Sequence, residues 1–116
     1  MKRHKYRAKK TTIGDIAFPS AKEAQYYVDL KLLQRAGEVV KIELQPEFVL
    51  QEAYRDKNGK HIRAIKYRAD FRVTYKDGRV VVIDVKPSKD FNTREYQLKK
   101  KMFLYRYPDI EFEESY

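Results

Sequence analysis

The sequence predicts an α/β domain with its elements in the order α-β-β-β-β-α-β. Three observations carry this reading. Two segments pair a capping residue with helical spacing of apolar side chains; other stretches alternate apolar and polar residues; and Asn-Gly and Asp-Gly steps join neighbouring strands.

The first helix opens at Ser20-Ala21-Lys22-Glu23, a capping-box signature in which Ser20 caps the helix and Glu23 reaches back. It runs to about Ala36, with Tyr26, Tyr27, Val28, Leu30, Leu32 and Leu33 as a broad apolar face, and Gly37 ends it. Glu23, Tyr27 and Leu30 share a side, so Glu23 can lean toward the body of the domain. Thr11 to Pro19, ahead of the helix, reads as irregular.

Val40, Ile42 and Leu44 alternate with Lys41 and Glu43, which describes a half-buried strand that Gln45-Pro46 terminates or turns. A second strand follows from Glu47 to about Tyr54. Asp56-Lys57-Asn58-Gly59 is a hairpin signal, because Asn-Gly accepts the positive φ angles of tight primed turns. The next strand is long, from about Ile62 to Tyr75. Asp77-Gly78 turns it into Arg79 to Lys86, whose Val80-Val81-Val82-Ile83 core is the most strand-like stretch of the chain, and Pro87 closes it. Asn92 or Thr93 caps a helix to about Arg106, and Pro108 precedes a short strand in which Ile110 and Phe112 alternate with Glu111 and Glu113.

Composition bounds the function classes. A chain of 116 residues suffices for one domain with one modest core, and 42% hydrophobic residues let it fold although 37% are charged. Without cysteine there is neither disulfide, nor cysteine-ligated zinc, nor thiol chemistry. No apolar run is long enough for a membrane span, and the N-terminus lacks the apolar stretch of a secretory signal, so a cytoplasmic protein without a membrane partner is expected. Two thirds of the formal charge of +9 sits in the first ten residues, as Lys2, Arg3, Lys5, Arg7, Lys9 and Lys10 without one acid. Residues 1–12 thus read as a flexible basic arm suited to DNA phosphates, and residues 13–116 as a single domain.

The chemistry converges on the hairpin that carries Asp70 on one arm and Ile83-Asp84-Val85-Lys86 on the other. A two-residue loop at Asp77-Gly78 would set Asp70 opposite Val85 and aim it away from Asp84. A three-residue loop, Lys76-Asp77-Gly78 with Gly78 left-handed, pairs Tyr75 with Arg79 and sets Asp70 opposite Asp84. Hydrophobicity favours the second register. It gathers Phe71, Val73, Tyr75, Val81, Ile83 and Val85 on one face and Asp70, Arg72, Thr74, Val80, Val82, Asp84 and Lys86 on a polar one.

Paired carboxylates suit a hard divalent cation that keeps several waters and binds beside substrate phosphates. Such a cation activates water for attack on a phosphodiester, with Lys86 placed to hold that water, to stabilise charge or to act as base, and with Glu23 as a further ligand or orienting group. Singly, Asp84 and Lys86 also fit ordinary strand charges, and Glu23 fits a cap. Jointly these readings weaken, because they do not explain a carboxylate opposite a carboxylate, where like charges across a ladder destabilise it. His4 and His61 have no partner at metal-ligand spacing.

The ordered blocks Phe18-Pro19-Ser20-Ala21-Lys22-Glu23-Ala24, Gln45-Pro46, Tyr67-Arg68-Ala69-Asp70-Phe71, Ile83-Asp84-Val85-Lys86 and Tyr96-Gln97-Leu98-Lys99-Lys100-Lys101 resemble the PD-(D/E)xK nuclease superfamily. More narrowly, they look like a small phage-encoded nuclease family related to Holliday junction resolvases and to the transposon-end endonuclease domain. Ala69 stands where the superfamily's name has proline, and Asp84 where glutamate is commoner.

The resemblance implies a restriction-endonuclease-like core, a mixed β-sheet flanked by helices, and hydrolysis of DNA phosphodiesters with Mg2+ or Mn2+. It implies metal binding by Asp70, Asp84 and the Val85 backbone carbonyl, assistance by Lys86, support from Glu23, and DNA contacts by Gln97 and Lys100. The expected substrate is branched or structured DNA read with low sequence specificity, in recombination or DNA processing, by a homodimer that makes paired cuts. A phage-encoded protein would act in the cytoplasm of a bacterial host. The rival is a noncatalytic nucleic-acid-binding module on the same fold.

Overall fold

The computed structural model describes residues 10–116. Along the chain the elements are β1 (Thr11–Ile13), β2 (Ile16–Phe18), α1 (Ala21–Arg35), β3 (Val39–Leu44), β4 (Glu47–Gln51), β5 (Tyr54–Arg55), β6 (His61–Ile62), β7 (Ile65–Arg68), β8 (Phe71–Tyr75), β9 (Val80–Val85), α2 (Arg94–Arg106) and β10 (Glu111–Ser115). The central sheet has the order β10-β9-β8-β3, with β10 parallel to β9 and the other pairs antiparallel. The fold is therefore mixed α/β around a mixed sheet with two helices, as expected. Among the described residues no helix is long and apolar enough to cross a membrane.

Local chemistry explains the helix ends. Ser20 Oγ accepts the Glu23 N–H at 3.1 Å, satisfying one of the orphan donors of the first turn. At the other end Gly37 has φ +85, its N–H donates to Gln34 O, and the Glu38 N–H donates to Leu33 O, a Schellman closure. Thr93, one of the two candidate caps, begins α2 by accepting the Tyr96 N–H.

The stretch before α1 corrects the irregular reading. Thr11 to Phe18 forms a hairpin with Gly14 and Asp15 as its two-residue loop, Gly14 supplying φ +60. Thr11 and Thr12, read from sequence as the end of an arm, are paired in β1. The first nine residues of the arm lie outside the described residues, and Lys10 is described and exposed.

The loop between β8 and β9 has the odd register. Tyr75 N donates to Arg79 O, Gly78 N donates to Tyr75 O, and Gly78 has φ +91. Phe71 then pairs with Ile83 and Val73 with Val81. The Asp56–Lys60 loop is built the same way, with the Asp56 N–H on Lys60 O and the Gly59 N–H on Asp56 O. This corrects the expected primed turn. Asp56 Oδ1 accepts the Asn58 N–H, and Gly59 takes positive φ while Asn58 does not.

The long strand expected from Ile62 to Tyr75 is broken between β7 and β8. Leu44 pairs with Phe71 before the break, and Glu47 pairs with Arg68 beyond it, so one register continues through. Gln45 N–H to Asp70 O and Ala69 N–H to Pro46 O bridge the gap. Pro46 has no N–H to give the ladder, and Gln45 sits at φ +47, so both strands turn together there. Past Gln51 and Ile65 the ribbon leads into the β5–β6 hairpin.

The bend gives the sheet two packed faces. One carries Phe71, Val73, Val81 and Ile83 against Ala24 and Leu30 of α1. The other buries Val82 with Phe48, Leu50, Tyr67, Ala69 and Phe103 of α2. The face read as polar is thus partly a second core, because α2 and the β4–β7 ribbon fold over it. Leu32 and Leu33, read as apolar-face residues of α1, are 55% and 40% exposed.

Candidate metal centre

Asp70 sits at the corner between the ribbon and the sheet, with its carboxylate over β9. The Val85 N–H donates to Asp70 Oδ2 at 2.6 Å, and the Asp70 N–H donates to Ile83 O. Asp84, buried at 8% exposure, accepts the Tyr67 hydroxyl on Oδ2 and lies 3.1 Å from Lys86 Nζ through Oδ1. Glu23 arrives from the first turn of α1 and is buried. Its carboxyl faces that of Asp70 and the Gln45 side chain, and only its backbone N–H, on Ser20 Oγ, serves the helix cap. Val85 meets Asp70 through its N–H.

Crowding of buried carboxyls sets their protonation. Burial, then the charge of Asp70, pushes Glu23 up to about 8. Burial also raises Asp70 to about 6, with the Val85 N–H opposing the shift and the charge of Asp84 adding to it. Burial and Asp84 push the Tyr67 hydroxyl well above the usual phenol range, so it remains a donor.

Lys86 is 6% exposed and has an aromatic setting. Its Nζ lies 3.1 Å from the centroid of the Tyr96 ring and 5.8 Å from that of Phe91. The Tyr96 hydroxyl in turn donates to Glu114 Oε2 at 2.5 Å, and burial with this bond raises it above its ordinary range. Lys22 Nζ donates to the carbonyls of Lys86 and Pro87, both at 3.1 Å, fixing the exit of β9 beside the site.

The donor set fits a hard divalent cation. Among the described residues no group of three or more His, Cys, Asp and Glu is placed to hold a metal by itself. Two oxygen ligands, Asp70 and Asp84, match a small ion that retains most of its waters. Burial raises both Glu23 and Asp70 and so disfavours their charged forms, a cost that a bound cation would offset.

The expected DNA contacts are scattered. Lys2, Arg3, Lys5, Arg7 and Lys9 lie outside the described residues, and Lys10 is exposed. Gln97 is exposed and bonds Asn92 through its side chain. Lys100 is 3.2 Å from Glu114 Oε1 and so is held to β10.

The model of a family described as protein of unknown function, DUF1064, matches residues 3–115. The chain belongs to the DUF1064 family. No curated protein and no solved structure matches it. In this DUF1064 protein, Gln45, Tyr67, Tyr96 and Lys22 join the site although sequence reasoning did not select them as functional. Gln45-Pro46 did signal a break, and a break at the level of Asp70 is what brings Gln45 to Glu23. Tyr67 and Tyr96 open two of the ordered blocks but carried no functional assignment, since the chain has eight other tyrosines that look alike in sequence.

Proposed function

We propose that this DUF1064 protein is a metal-dependent endodeoxyribonuclease with a restriction-endonuclease-like core that hydrolyses phosphodiesters in branched or structured DNA. The observation that carries this reading is the level placement of Asp70 and Asp84 on adjoining strands, with Lys86 on Asp84 and Glu23 on Asp70. Asp70 and Asp84 would hold Mg2+ or Mn2+. When bound, the cation supplies Lewis acidity that activates a water and offsets charge on the phosphoryl oxygens.

The side chains have distinct tasks in that reaction. Hydrolysis joins a water oxygen to phosphorus and breaks one ester P–O bond, and the leaving oxygen takes up a proton. Asp70, fixed by the Val85 N–H, orients one side of the site, and Asp84, fixed by Tyr67, orients the other. The Lys86 ammonium, confined by Asp84 and the Tyr96 ring, offers charge to the developing anion. Glu23 holds a proton beside Asp70. Buried aromatic and apolar groups around Val82 keep water away from the far side of this cluster.

Four-way junction, flap, linear duplex and single-stranded DNA, each incubated with the protein in magnesium, test the reading. Cleavage of the branched substrates is expected. Intact DNA of every kind, with folded protein, would count against catalysis and favour a binding module on the same fold.

A further inference from the structure

The β5–β6 hairpin is the far end of the ribbon whose base is the Asp70 corner. Between residues 55 and 68 the chain has six basic residues and one acid, Asp56. That acid is spent on the turn, since Asp56 Oδ1 accepts the N–H groups of Asn58 and Lys60. Lys66 and Arg68, nearer the sheet, are paired with Glu47, and Arg55 donates to Gly59 O. Lys57, Lys60 and Arg63 are exposed and form no ion pair with any described carboxylate. Folding therefore leaves three cations at the end of a projecting two-stranded ribbon.

We propose that the β5–β6 hairpin is a second DNA-contacting element, which lays Lys57, Lys60 and Arg63 on the phosphates of a duplex arm while the Asp70 corner meets the cut site. This rests on the nuclease reading for its choice of DNA. A two-stranded ribbon is the width that the major groove admits, and clustered unpaired cations are what counterion release rewards. Reach is suitable: Gly59 precedes Asp70 by eleven residues, at most about 36 Å of extended chain at ~3.3 Å per residue. That is roughly one turn of duplex. The contact is made to backbone, so it adds affinity on any sequence and holds the arm in register with the corner.

The test is anisotropy of labelled four-way junction, linear DNA duplex, single-stranded DNA and RNA duplex, each titrated in EDTA with the full chain over a range of salt. Replacing Lys57, Lys60 and Arg63 together by alanine should lower the slope of log affinity against log salt by roughly 2 to 3, at ~0.9 per phosphate contact. The charge-keeping Lys57→Arg/Lys60→Arg variant should retain the slope, which separates charge from fold. An unchanged slope in the alanine variant would overturn the proposal, as would a change confined to RNA duplex or single-stranded DNA. Cleavage in magnesium by the wild-type chain is read separately. A hairpin-dependent slope without cleavage would fail the nuclease reading alone, and cleavage with a hairpin-independent slope would fail this proposal alone.

Discussion

Asp70 stands at the level of Asp84, one step beyond the paired Phe71 and Ile83, and its Oδ2 takes the N–H of Val85. That relationship is decided some distance away, where Gly78 at φ +91 lets Lys76-Asp77-Gly78 close as a three-residue loop. Deleting Tyr75 while keeping the Lys76-Asp77-Gly78 loop should move its closing pair to Thr74 and Arg79 and slip the register by one, turning Asp70 from Asp84. Helical circular dichroism should persist while metal binding and cleavage weaken more than about tenfold, a factor that corresponds to ~1.4 kcal/mol. By contrast Gly78→Ala meets no atom within 4 Å and should lose only the conformational preference, about 1 kcal/mol in urea unfolding, with cleavage retained. Full activity in the deletion variant would disconnect register from function.

Lys86 depends on the Tyr96 ring more than on the Tyr96 hydroxyl. Tyr96→Phe keeps the ring and gives up the bond to Glu114, whereas Tyr96→Leu removes the ring that faces the ammonium. Cation–π contacts are worth ~0.5 to 2 kcal/mol, so the leucine variant should cleave about 2- to 30-fold more slowly and the phenylalanine variant nearly normally. Equal loss in both variants would assign the effect to the hydroxyl.

The metal-free protein should lose stability as pH rises. Glu23, ordinarily 4.5, is pushed to about 8, and Asp70, ordinarily 3.8, to about 6. Folding therefore favours their protonated forms. The folded state binds more protons than the unfolded state from about pH 4 to about 8, and this contribution is complete below the window and gone above it. Thermal melts in EDTA at pH 5 and pH 8 should show a lower Tm at pH 8, and Glu23→Gln should reduce that difference. Magnesium replaces the missing positive charge, so it should raise Tm more at pH 8 than at pH 5. At a hundredfold excess over Kd the gain is ~2.7 kcal/mol, on the order of 10 °C for a domain of this size. Identical magnesium shifts at both pH values would contradict this picture.

What the sequence made legible was what local chemistry controls. Ser20, Gly37 and Thr93 set helix ends through groups within a few residues, and Gly78 set the register that aligns Asp70 with Asp84. Alternation likewise identified β3 and β10, and the β-branched run Val80 to Ile83 identified β9. What it hid depends on distant partners. Gln45-Pro46 signalled a break in its own strand, but Ala69-Asp70 gave no sign of one, because the bend exists only where the two strands turn together. Val82 looked like part of a polar face until α2 and the ribbon folded over it. Tyr67 and Tyr96 reach Asp84 and Lys86 only through that packing, and Lys57, Lys60 and Arg63 stand apart only because their neighbours Lys66 and Arg68 pair with Glu47.

Single-turnover cleavage of a labelled four-way junction, by wild-type protein and by Asp84→Ala across a magnesium titration, separates a metal-dependent nuclease from a binding module. Wild type should cut in proportion to bound magnesium, and Asp84→Ala should bind the junction comparably yet cut at least about a thousandfold more slowly, a loss of ~4 kcal/mol in transition-state stabilisation. Magnesium-independent cutting, or cutting by Asp84→Ala at the wild-type rate, would contradict the account.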